Sequence, residues 1–461
     1  MEQHKYTGID LINMGYEPGE WFKEALLNLN ANEYSDSEVI SYLKSIEPAP
    51  HIPLNENPVT YFKNINSMNE LEDINISSVY RTMDELMKTP TIVAGAVMPD
   101  ACPTGRVGEI PVGGVAVAHN AIHPGMHSAD ICCSVMVSDL GKVDPKDVLD
   151  NAQIVSHFGP KFSNENIQYS LPENLEKEME NNHFLNNDST RLLSRLHLGT
   201  QGDGNHFLFV GKSKKNGNTI LVTHHGSRGV GAVLYKNAMK VAEKFRKRIS
   251  IETLPNNAWI PFNTDEGKNY WDALQIIRNW TKYNHSLIHK LTAEKLGVTI
   301  VNNFWNEHNF VFKEDDLFYH AKGSTPVDTK FLPDTNGLQI IPLNMAQPIL
   351  IVKGKTNETN LGFAPHGAGR NVSRTKHKIM NSDLTEREIF DNETKDIDAR
   401  FYSGHIDISE LPSAYKDAST VRSQIEMFNL CEIEDEILPY GSIMAGNWQI
   451  DAPWKKKKRE S

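Results

Sequence analysis

The sequence HNAIHPGMHSADICC, residues 119–133, holds the densest set of metal-binding side chains in the chain. It combines imidazole, carboxylate and thiol groups beside a bend that contains proline and glycine. Such a mixed set suits a borderline ion such as Zn²⁺, Mn²⁺, Fe²⁺ or Co²⁺, whereas oxygen ligands alone suit Mg²⁺ or Ca²⁺. The stretch therefore predicts a transition-metal site around which the fold is organised.

Asp130 and Cys133 are the two residues of this stretch whose spacing most clearly predicts a shared metal site. They are three residues apart, so a helical turn or a tight loop directs both side chains to the same place. A cysteine sulfur can bridge two ions, which predicts a shared role for Cys133. The neighbouring Cys132 is interpreted as a small core residue before the apolar run at 135–137.

The composition indicates a globular protein with one large core and appendages. The 461 residues contain 39% hydrophobic and 23% charged residues, and no apolar run approaches the roughly 20 residues of a membrane helix. Four cysteines, two of them adjacent, fit a reducing compartment better than a disulfide framework, so a cytoplasmic location is expected. The formal net charge of -12 gives no general attraction for nucleic acid, so such a partner needs a local basic groove.

Three segments are expected along the chain. Residues 1–50 show helical spacing of apolar residues around a turn at Pro18 and Gly19, which predicts a small helical hairpin. Residues 51–450 form the main body, and residues 451–461 form a basic tail, interpreted as a solvated terminus. Strands and helices are interleaved without a regular alternating period. This favours an α+β fold, with mixed sheets and flanking helices around one central metal and nucleotide cleft.

Two further histidines, His206 and His224, lie at the ends of predicted strands beside glycine. A strand fixes the orientation of the ring, and glycine lets a metal or phosphate approach the backbone. Each histidine alone is more often a hydrogen-bonded core or turn residue than a ligand. Together with Asp130 and Cys133 they complete a four-ligand set.

A second chemical motif is HGAGR, residues 366–370. Its small residues expose backbone N–H groups that can bind a phosphate, and Arg370 can add a bidentate contact. His366 is left uncrowded as a nucleophile or general base. The alternative is a glycine-rich turn that carries a surface histidine, and composition alone leaves both interpretations open.

Five ordered motifs of this chain resemble those of the RtcB family of RNA ligases. The resemblance does not reach the N-terminal hairpin or the basic tail, so residues 51–450 are interpreted as an RtcB-like catalytic domain. The motifs are Met98-Pro99-Asp100 with Gly113-Gly114-Val115, Asp130-Ile131-Cys132-Cys133, Gly204-Asn205-His206-Phe207, His224 before Gly226-Ser227-Arg228-Gly229, and His366-Gly367-Ala368-Gly369-Arg370.

The resemblance implies an RNA repair or tRNA-splicing ligase that depends on GTP and Mn²⁺. Such an enzyme joins an RNA 3′-phosphate or 2′,3′-cyclic phosphate end to a 5′-hydroxyl end. His366 would take the guanylate covalently and pass it to the RNA 3′-phosphate. The metal pair would be bound by Asp130, Cys133, His206 and His224, with Cys133 bridging. The guanylate would be contacted by Asn205, Phe207 and Asn303, and its phosphate by Gly367, Ala368 and Gly369.

One departure from the family pattern concerns the metal site. Asn302 stands where the family has a third metal-binding histidine. An amide oxygen is a weaker and harder ligand than imidazole, so one of the two Mn²⁺ ions is expected to be bound less tightly. The alternative is that His225 or His308 fills the position.

Other departures concern the nucleotide. Phe209 replaces an acidic residue of the family, which removes a guanine contact unless Asp203 or Glu307 supplies one. Cationic residues of the family are replaced at three further positions, Ala321, His285 and Ala445. The chain is therefore a divergent member on this reading, with relaxed preference for GTP or slow guanylylation.

Three functions stand as hypotheses. The first is an RNA ligase of the RtcB type that acts through His366. The second is a metal-dependent phosphoryl-transfer or hydrolytic enzyme that has lost ligation, since ligands remain while guanylate contacts are lost. The third is a protein that binds RNA ends and whose metal is structural.

Overall fold

A computed structural model describes residues 5–48, 50–158, 169–332, 337–355 and 357–447. The predicted basic tail, residues 451–461, lies outside the described residues. None of the helices in this part of the chain combines the length and the apolar character that crossing a membrane requires.

The described part of the chain contains twelve α-helices, two large sheets and three two-stranded ribbons, and the α+β class predicted from the sequence is confirmed. The helices are α1 (Gly8–Asn13), α2 (Trp21–Ala31), α3 (Asp36–Ile46), α4 (Glu70–Leu86), α5 (Pro145–Val155), α6 (Glu173–Asn181), α7 (Asp188–Leu196), α8 (Arg228–Ile249), α9 (Asp265–Leu296), α10 (Arg374–Met380), α11 (Glu386–Glu393) and α12 (Ala418–Met427).

The strands in the described part of the chain are β1 (Phe62–Lys63), β2 (Ile92–Cys102), β3 (Val112–His119), β4 (Ala121–Ile122), β5 (Ser134–Asp139), β6 (His157–Phe158), β7 (Thr200–Gly202), β8 (Phe207–Ser213), β9 (Thr219–His225), β10 (Ile260–Pro261), β11 (Asn302–Glu307), β12 (Asn309–Glu314), β13 (Leu317–Lys322), β14 (Ser324–Pro326), β15 (Leu338–Ile341), β16 (Ile349–Gly354), β17 (Phe363–Pro365), β18 (Asp398–Phe401) and β19 (Cys431–Met444).

The larger sheet has eight strands, in the order β11-β5-β9-β8-β19-β16-β15, with β18 beside β19. Alternate residues of its strands point to opposite faces. On one face Leu208 and Val210 pack with Leu149 of α5 and Ala293 of α9. On the other face Phe209 packs in a separate apolar group with Val135, Val137, Val222 and Ile349. Both faces are therefore buried, which accounts for the apolar character of β5 and β9.

The second sheet has five strands, in the order β1-β2-β3-β13-β12. Its apolar side chains join the largest hydrophobic cluster of the described residues, together with residues of α8 and α9. Helix α9 is 32 residues long. Thr264 caps its start by accepting a hydrogen bond from the Gly267 N–H, and Gly297 ends it in the left-handed region at φ 68°. This helix holds one face of the larger sheet against the rest of the core.

The N-terminal segment is helical, as predicted, and has its own hydrophobic cluster with Leu11, Phe22 and Leu43 buried in it. It contains three helices, α1 to α3, where the sequence suggested a hairpin. The additional helix begins at a capping box, in which Ser35 and Glu38 each satisfy a backbone N–H of the other.

Candidate active site

The larger sheet brings the predicted metal ligands together at one end of four neighbouring strands. Strands β11, β5, β9 and β8 are antiparallel neighbours, so the ends of β11 and β9 lie beside the starts of β5 and β8. Asp130 and Cys133 precede β5, His206 precedes β8, and His224 is the next-to-last residue of β9. Strand pairing therefore collects side chains that are distant in the sequence.

Cys133 is shared by two groups of candidate ligands. Its Sγ atom lies 3.4 Å from Nε2 of His206 and 3.2 Å from Nε2 of His224. Nε2 of His206 also lies 2.9 Å from Oδ2 of Asp130. One group is Asp130, Cys133 and His206, and within it the ligand atoms lie within 4.8 Å of one another. The four residues predicted as ligands are thus neighbours, and the sulfur is placed between two potential ion sites.

The second group of ligands is Cys133, His224 and His308. Nε2 of His308 lies 3.2 Å from Nε2 of His224. The prediction of Asn302 as a ligand is wrong, because Asn302 is exposed and pairs with the last residue of β5, at the far end of the strand. Five residues of an extended strand separate it from the site, roughly 16 Å. The alternative that His308 fills the position describes the structure.

Asn303, predicted to contact the nucleotide, is also exposed at the far end of β11 and lies away from the cavity. His225, the other alternative for the metal position, follows His224 in the strand and therefore points to the opposite face. It stacks on His285 of α9, with ring centroids 3.5 Å apart. Among the described residues, His225 belongs to no ligand group.

Unusual backbone geometry directs Asp130 and Cys133 into the site. Cys132 has φ 59°, a left-handed conformation that a non-glycine residue rarely adopts. The turn closes with the Cys133 N–H donating to the Asp130 carbonyl at 3.2 Å. The buried Cys132 packs in the main hydrophobic cluster, as the sequence indicated. Gly226 is also required, because a Cβ there would lie 2.1 Å from Oδ1 of Asp130.

Burial sets the protonation of the ligand imidazoles. It lowers the pKa of His224 to about 3, and the nearby His206 and His366 add to this effect. Burial likewise lowers the pKa of His308 well below its ordinary value. Both rings are therefore neutral at pH 7 and retain a lone pair that a metal ion can use.

The pKa values of the two acidic candidate ligands, Cys133 and Asp130, are shifted in opposite directions. Burial raises the pKa of the Cys133 thiol, and Asp130 raises it further. A bound cation reverses that preference, because the thiolate is the form that binds metal. Burial alone would also raise the pKa of Asp130, but His206 and Arg228 outweigh it and hold the pKa below its ordinary value. Asp130 is therefore ionised at pH 7.

His366 follows β17 and lies beside the metal-ligand groups. Its ring centroid is 4.8 Å from that of His308. Oδ2 of the buried Asp100 accepts a 2.6 Å hydrogen bond from Nδ1 of His366 and a 3.1 Å bond from its backbone N–H. This bond places the proton on Nδ1 and leaves the Nε2 lone pair free for chemistry. The sequence singled out Asp100 only as part of a motif, and its role was not predicted.

The glycines after His366 allow two chain segments to touch. Gly369 has φ 70°, and a Cβ there would lie 1.9 Å from the Asp100 carbonyl oxygen. Only glycine therefore permits the loop to pack directly against β2. That contact keeps His366 within hydrogen-bonding distance of Asp100.

Arg370 is engaged by protein groups rather than left free for a phosphate. Its Nη2 atom donates to Oε2 of the buried Glu410 at 2.8 Å, and Nη1 donates to the Ser409 carbonyl. Nε of Arg374 donates to Oε1 of Glu410 at 2.7 Å, and the side chain of Arg374 is 49% exposed. The guanidinium of Arg374 is thus the one of these two that retains exposed donors beside the loop.

One cavity of about 860 Å³ joins these elements. The predicted nucleotide-binding residues Asn205, Phe207, Gly367, Ala368 and Gly369 line it, as do His224, His308 and His366. The two proposed substitutes for the acidic guanine contact lie outside it. Glu307 is buried in an ion pair with Arg278 of α9, and Asp203 pairs with Arg228 at 3.4 Å.

Two groups of candidate ligands that share a thiol lie beside a histidine oriented by a carboxylate, and together they form a candidate active site that could hold metal ions. The sequence comparisons give the family to which this site belongs. The chain belongs to the RtcB family: the model of that family, described as tRNA-splicing ligase RtcB, matches residues 150–445, which include His206, His224, His308 and His366.

Individual relatives are similar over most of the chain. The tRNA-splicing ligase RtcB of Aeropyrum pernix is 26% identical over 427 residues, which cover 75% of this chain and 86% of the relative. That of Archaeoglobus fulgidus is 26% identical over 427 residues, with 76% and 87% covered. The RNA-splicing ligase RtcB of Escherichia coli K12 is 30% identical over 258 residues, with 52% and 58% covered. The comparisons therefore show the family to which the chain belongs, although its sequence identity to each of these relatives is low.

Proposed function

We propose that the protein is an RNA ligase that joins an RNA 3′-phosphate or 2′,3′-cyclic phosphate end to a 5′-hydroxyl end, with GTP as the expected nucleotide donor. The observation that carries the proposal is the arrangement of His366, oriented by Asp100, beside two ligand groups in one cavity. Membership of the RtcB family and relatives named as RNA-splicing ligases support the same activity.

In the first step, Nε2 of His366 attacks the α-phosphorus of the nucleotide. A nitrogen–phosphorus bond forms and the bond from the α-phosphorus to pyrophosphate breaks. The hydrogen bond from Nδ1 to Asp100 stabilises the positive charge that develops on the ring. Residues 367–369 line the cavity, so their N–H groups would bind the phosphate, and Arg374 provides exposed donors nearby.

In the second step, an oxygen of the RNA 3′-phosphate attacks the phosphorus bound to His366, and the nitrogen–phosphorus bond breaks. The 5′-hydroxyl oxygen of the other RNA end then attacks the 3′-phosphate, releases the nucleoside monophosphate and gives up its proton. A 2′,3′-cyclic phosphate first needs hydrolysis by water to a 3′-phosphate. Each transfer is easier than one direct displacement, because the activated phosphate has a good leaving group.

The donor set fits two Mn²⁺ ions. Asp130, Cys133 and His206 would hold one ion, and Cys133, His224 and His308 the other. The facing Nε2 atoms of His224 and His308 are only 3.2 Å apart, and an ion would use both lone pairs. Such a pair, when bound, supplies charge neutralisation at attacking and leaving oxygens.

The RNA partner needs local positive charge because the whole chain has a formal net charge of -12. Lys322 and Arg374 both line the cavity and provide such charge at its wall. The cysteines of the described residues are all free, which supports a reducing compartment such as the cytoplasm.

Transfer of label from GTP tests the proposal. The purified protein is incubated with Mn²⁺ and GTP labelled at the α-phosphate, and then with RNA that carries a 3′-phosphate and a 5′-hydroxyl end. We expect acid-labile label on the chain and joined RNA. Both should be lost in His366→Ala and kept in His377→Ala, a matched control whose ring bonds Ser413 in the C-terminal part.

The outcomes separate the three hypotheses. Label without joined RNA would favour a phosphoryl-transfer enzyme that has lost ligation. Bound metal without any label or joining would favour an RNA-end-binding protein and would contradict the proposal.

A further inference from the structure

The cavity has an apolar wall. Its side chains, most of them buried, come from β8, β16, β19 and the segment that precedes β16. Phe207 packs against two of the three hydrophobic clusters that contribute to it. The wall consists of Phe207, Phe209, Leu343, Met345, Ile349 and Met444.

Strand pairing fixes the distance from this wall to the metal ligands. Phe207 of β8 lies opposite His224 of β9 on one side and opposite Met444 of β19 on the other. The rings of Phe207 and His224 are 5.1 Å apart. Met444 is thus two strand spacings, roughly 10 Å, from His224. A nucleotide whose phosphate is at His366 can therefore extend its flat, apolar base to this wall.

Few polar groups interrupt the wall, and they are neutral. Ser442, opposite Phe209, donates its hydroxyl proton to the Leu208 carbonyl at 3.2 Å, so that its oxygen can only accept another bond. Oδ1 of Asn344 accepts the Ala346 N–H at 3.0 Å, which leaves its NH₂ group as a donor. The wall can therefore offer one neutral acceptor and one neutral donor to a base.

Both carboxylates that line the cavity in the described part of the chain are already engaged. Asp130 binds His206 in the ligand groups. Glu410 accepts from Arg370, Arg374 and the Tyr415 hydroxyl, at 2.8, 2.7 and 2.6 Å. Neither is free to accept a hydrogen bond from a base.

Guanine and adenine differ in the edge that such a wall would read. Guanine presents N–H donors at N1 and at its 2-amino group and an acceptor at O6, where adenine has an amino donor. Strong selection of guanine over adenine therefore needs polar groups that adenine leaves unpaired. A charged acceptor makes the stronger bond. A neutral hydrogen bond changes affinity by about tenfold or less.

We infer that the wall formed by Phe207, Phe209, Ile349 and Met444 binds the nucleobase without selecting guanine, so that ATP and ITP serve His366 as GTP does. The inference rests on the proposed function, because it takes the cavity as the nucleotide site. Apolar contact with the base supplies the affinity, and Ser442 and Asn344 accommodate either purine.

Equilibrium binding of GMP, IMP and AMP to the full chain in Mn²⁺ tests this inference without the covalent step. We expect the three dissociation constants to agree within about tenfold. A preference for GMP over AMP of about 100-fold or more would overturn the inference, and so would failure of all three to bind. Binding of the three nucleotides without label from GTP would contradict the proposed function alone.

A variant pair provides a second measurement. Ser442→Asp adds a charged acceptor to the wall, and Ser442→Asn adds a neutral side chain of the same size. We expect the first variant to raise the ratio of AMP to GMP dissociation constants by about tenfold over the second. An unchanged ratio in a folded Ser442→Asp protein would show that the base lies elsewhere. The comparison in the unmodified chain decides the question if that variant does not fold.

Discussion

The carboxylate of Asp100 accepts a 2.6 Å hydrogen bond from Nδ1 of His366 across 266 residues of sequence. The same oxygen accepts the backbone N–H of His366, so both the position and the rotation of the ring are fixed. Asp100 is fully buried, which limits competition from water. This bond makes Nε2 the reactive nitrogen.

Asp100→Ala should slow the labelling of His366 by about 10²- to 10⁴-fold, the range seen when the carboxylate partner of a catalytic histidine is removed. Metal content should stay the same, because Asp100 belongs to neither ligand group. The measurement is the rate of label transfer from GTP together with elemental analysis. Fast labelling in a folded Asp100→Ala protein would contradict the positioning role.

His308→Ala should reduce the bound metal from about two ions to about one per chain, because it removes an imidazole from one of the two ligand groups. Asn302→Ala is the matched control and should bind as much metal as the unmodified chain. Elemental analysis or titration calorimetry measures the stoichiometry. Loss of metal in Asn302→Ala together with retention in His308→Ala would show that Asn302, and not His308, is the metal ligand.

Cys133→Ala should lower the occupancy of both ion sites, because its sulfur belongs to both ligand groups. The adjacent Cys132→Ala should keep the metal and lower the free energy of unfolding by about 1 kcal/mol through lost packing in the core. Metal content and urea unfolding separate the two effects. A Cys133→Ala protein that kept both ions would rule out a bridging sulfur.

Glu410→Gln should lower the free energy of unfolding by about 3 kcal/mol, since Arg370 would lose a buried charged partner. Tyr415→Phe removes only one hydrogen bond to Glu410 and should cost about 1 kcal/mol. Urea unfolding at neutral pH compares the two variants. Equal midpoints for both would show that the charge of Glu410 contributes little to the fold.

Acid should destabilise the metal-free protein below pH 6.5. Burial lowers the pKa of His123 and His127 to about 4 and that of His289 to about 3, from 6.5 for an exposed imidazole. The unfolded chain therefore binds more protons below pH 6.5. Stability is complete above that pH and is lost as the pH falls towards 4, by up to about 1.4 kcal/mol per pH unit for each histidine.

Urea unfolding of the chelator-treated protein at pH 7.5, 6 and 5 measures this loss. The midpoint should change little above pH 7 and fall progressively below pH 6.5. A midpoint that stays constant down to pH 5 would show that these imidazoles are accessible to protons in the folded state.

The types of the candidate metal ligands and most of their positions could be predicted from the sequence. Asp130, Cys133, His206 and His224 lie beside glycine or at strand ends, and such local patterns survive in the fold because they depend on near neighbours in the chain. The same holds for the loop at 367–369, whose small residues predicted a turn open to a ligand and which lines the cavity. The α+β class followed from the irregular order of strands and helices.

The tertiary structure alone decided which histidine completes the site and which carboxylate orients His366. The choice between Asn302 and His308 depends on the end of β11 that lies beside Cys133, and this is set by antiparallel pairing with β5. Asp100 reaches His366 only because Gly369 lets the loop pack on β2. Pairing register and close packing join segments hundreds of residues apart, and no local pattern of side chains records them.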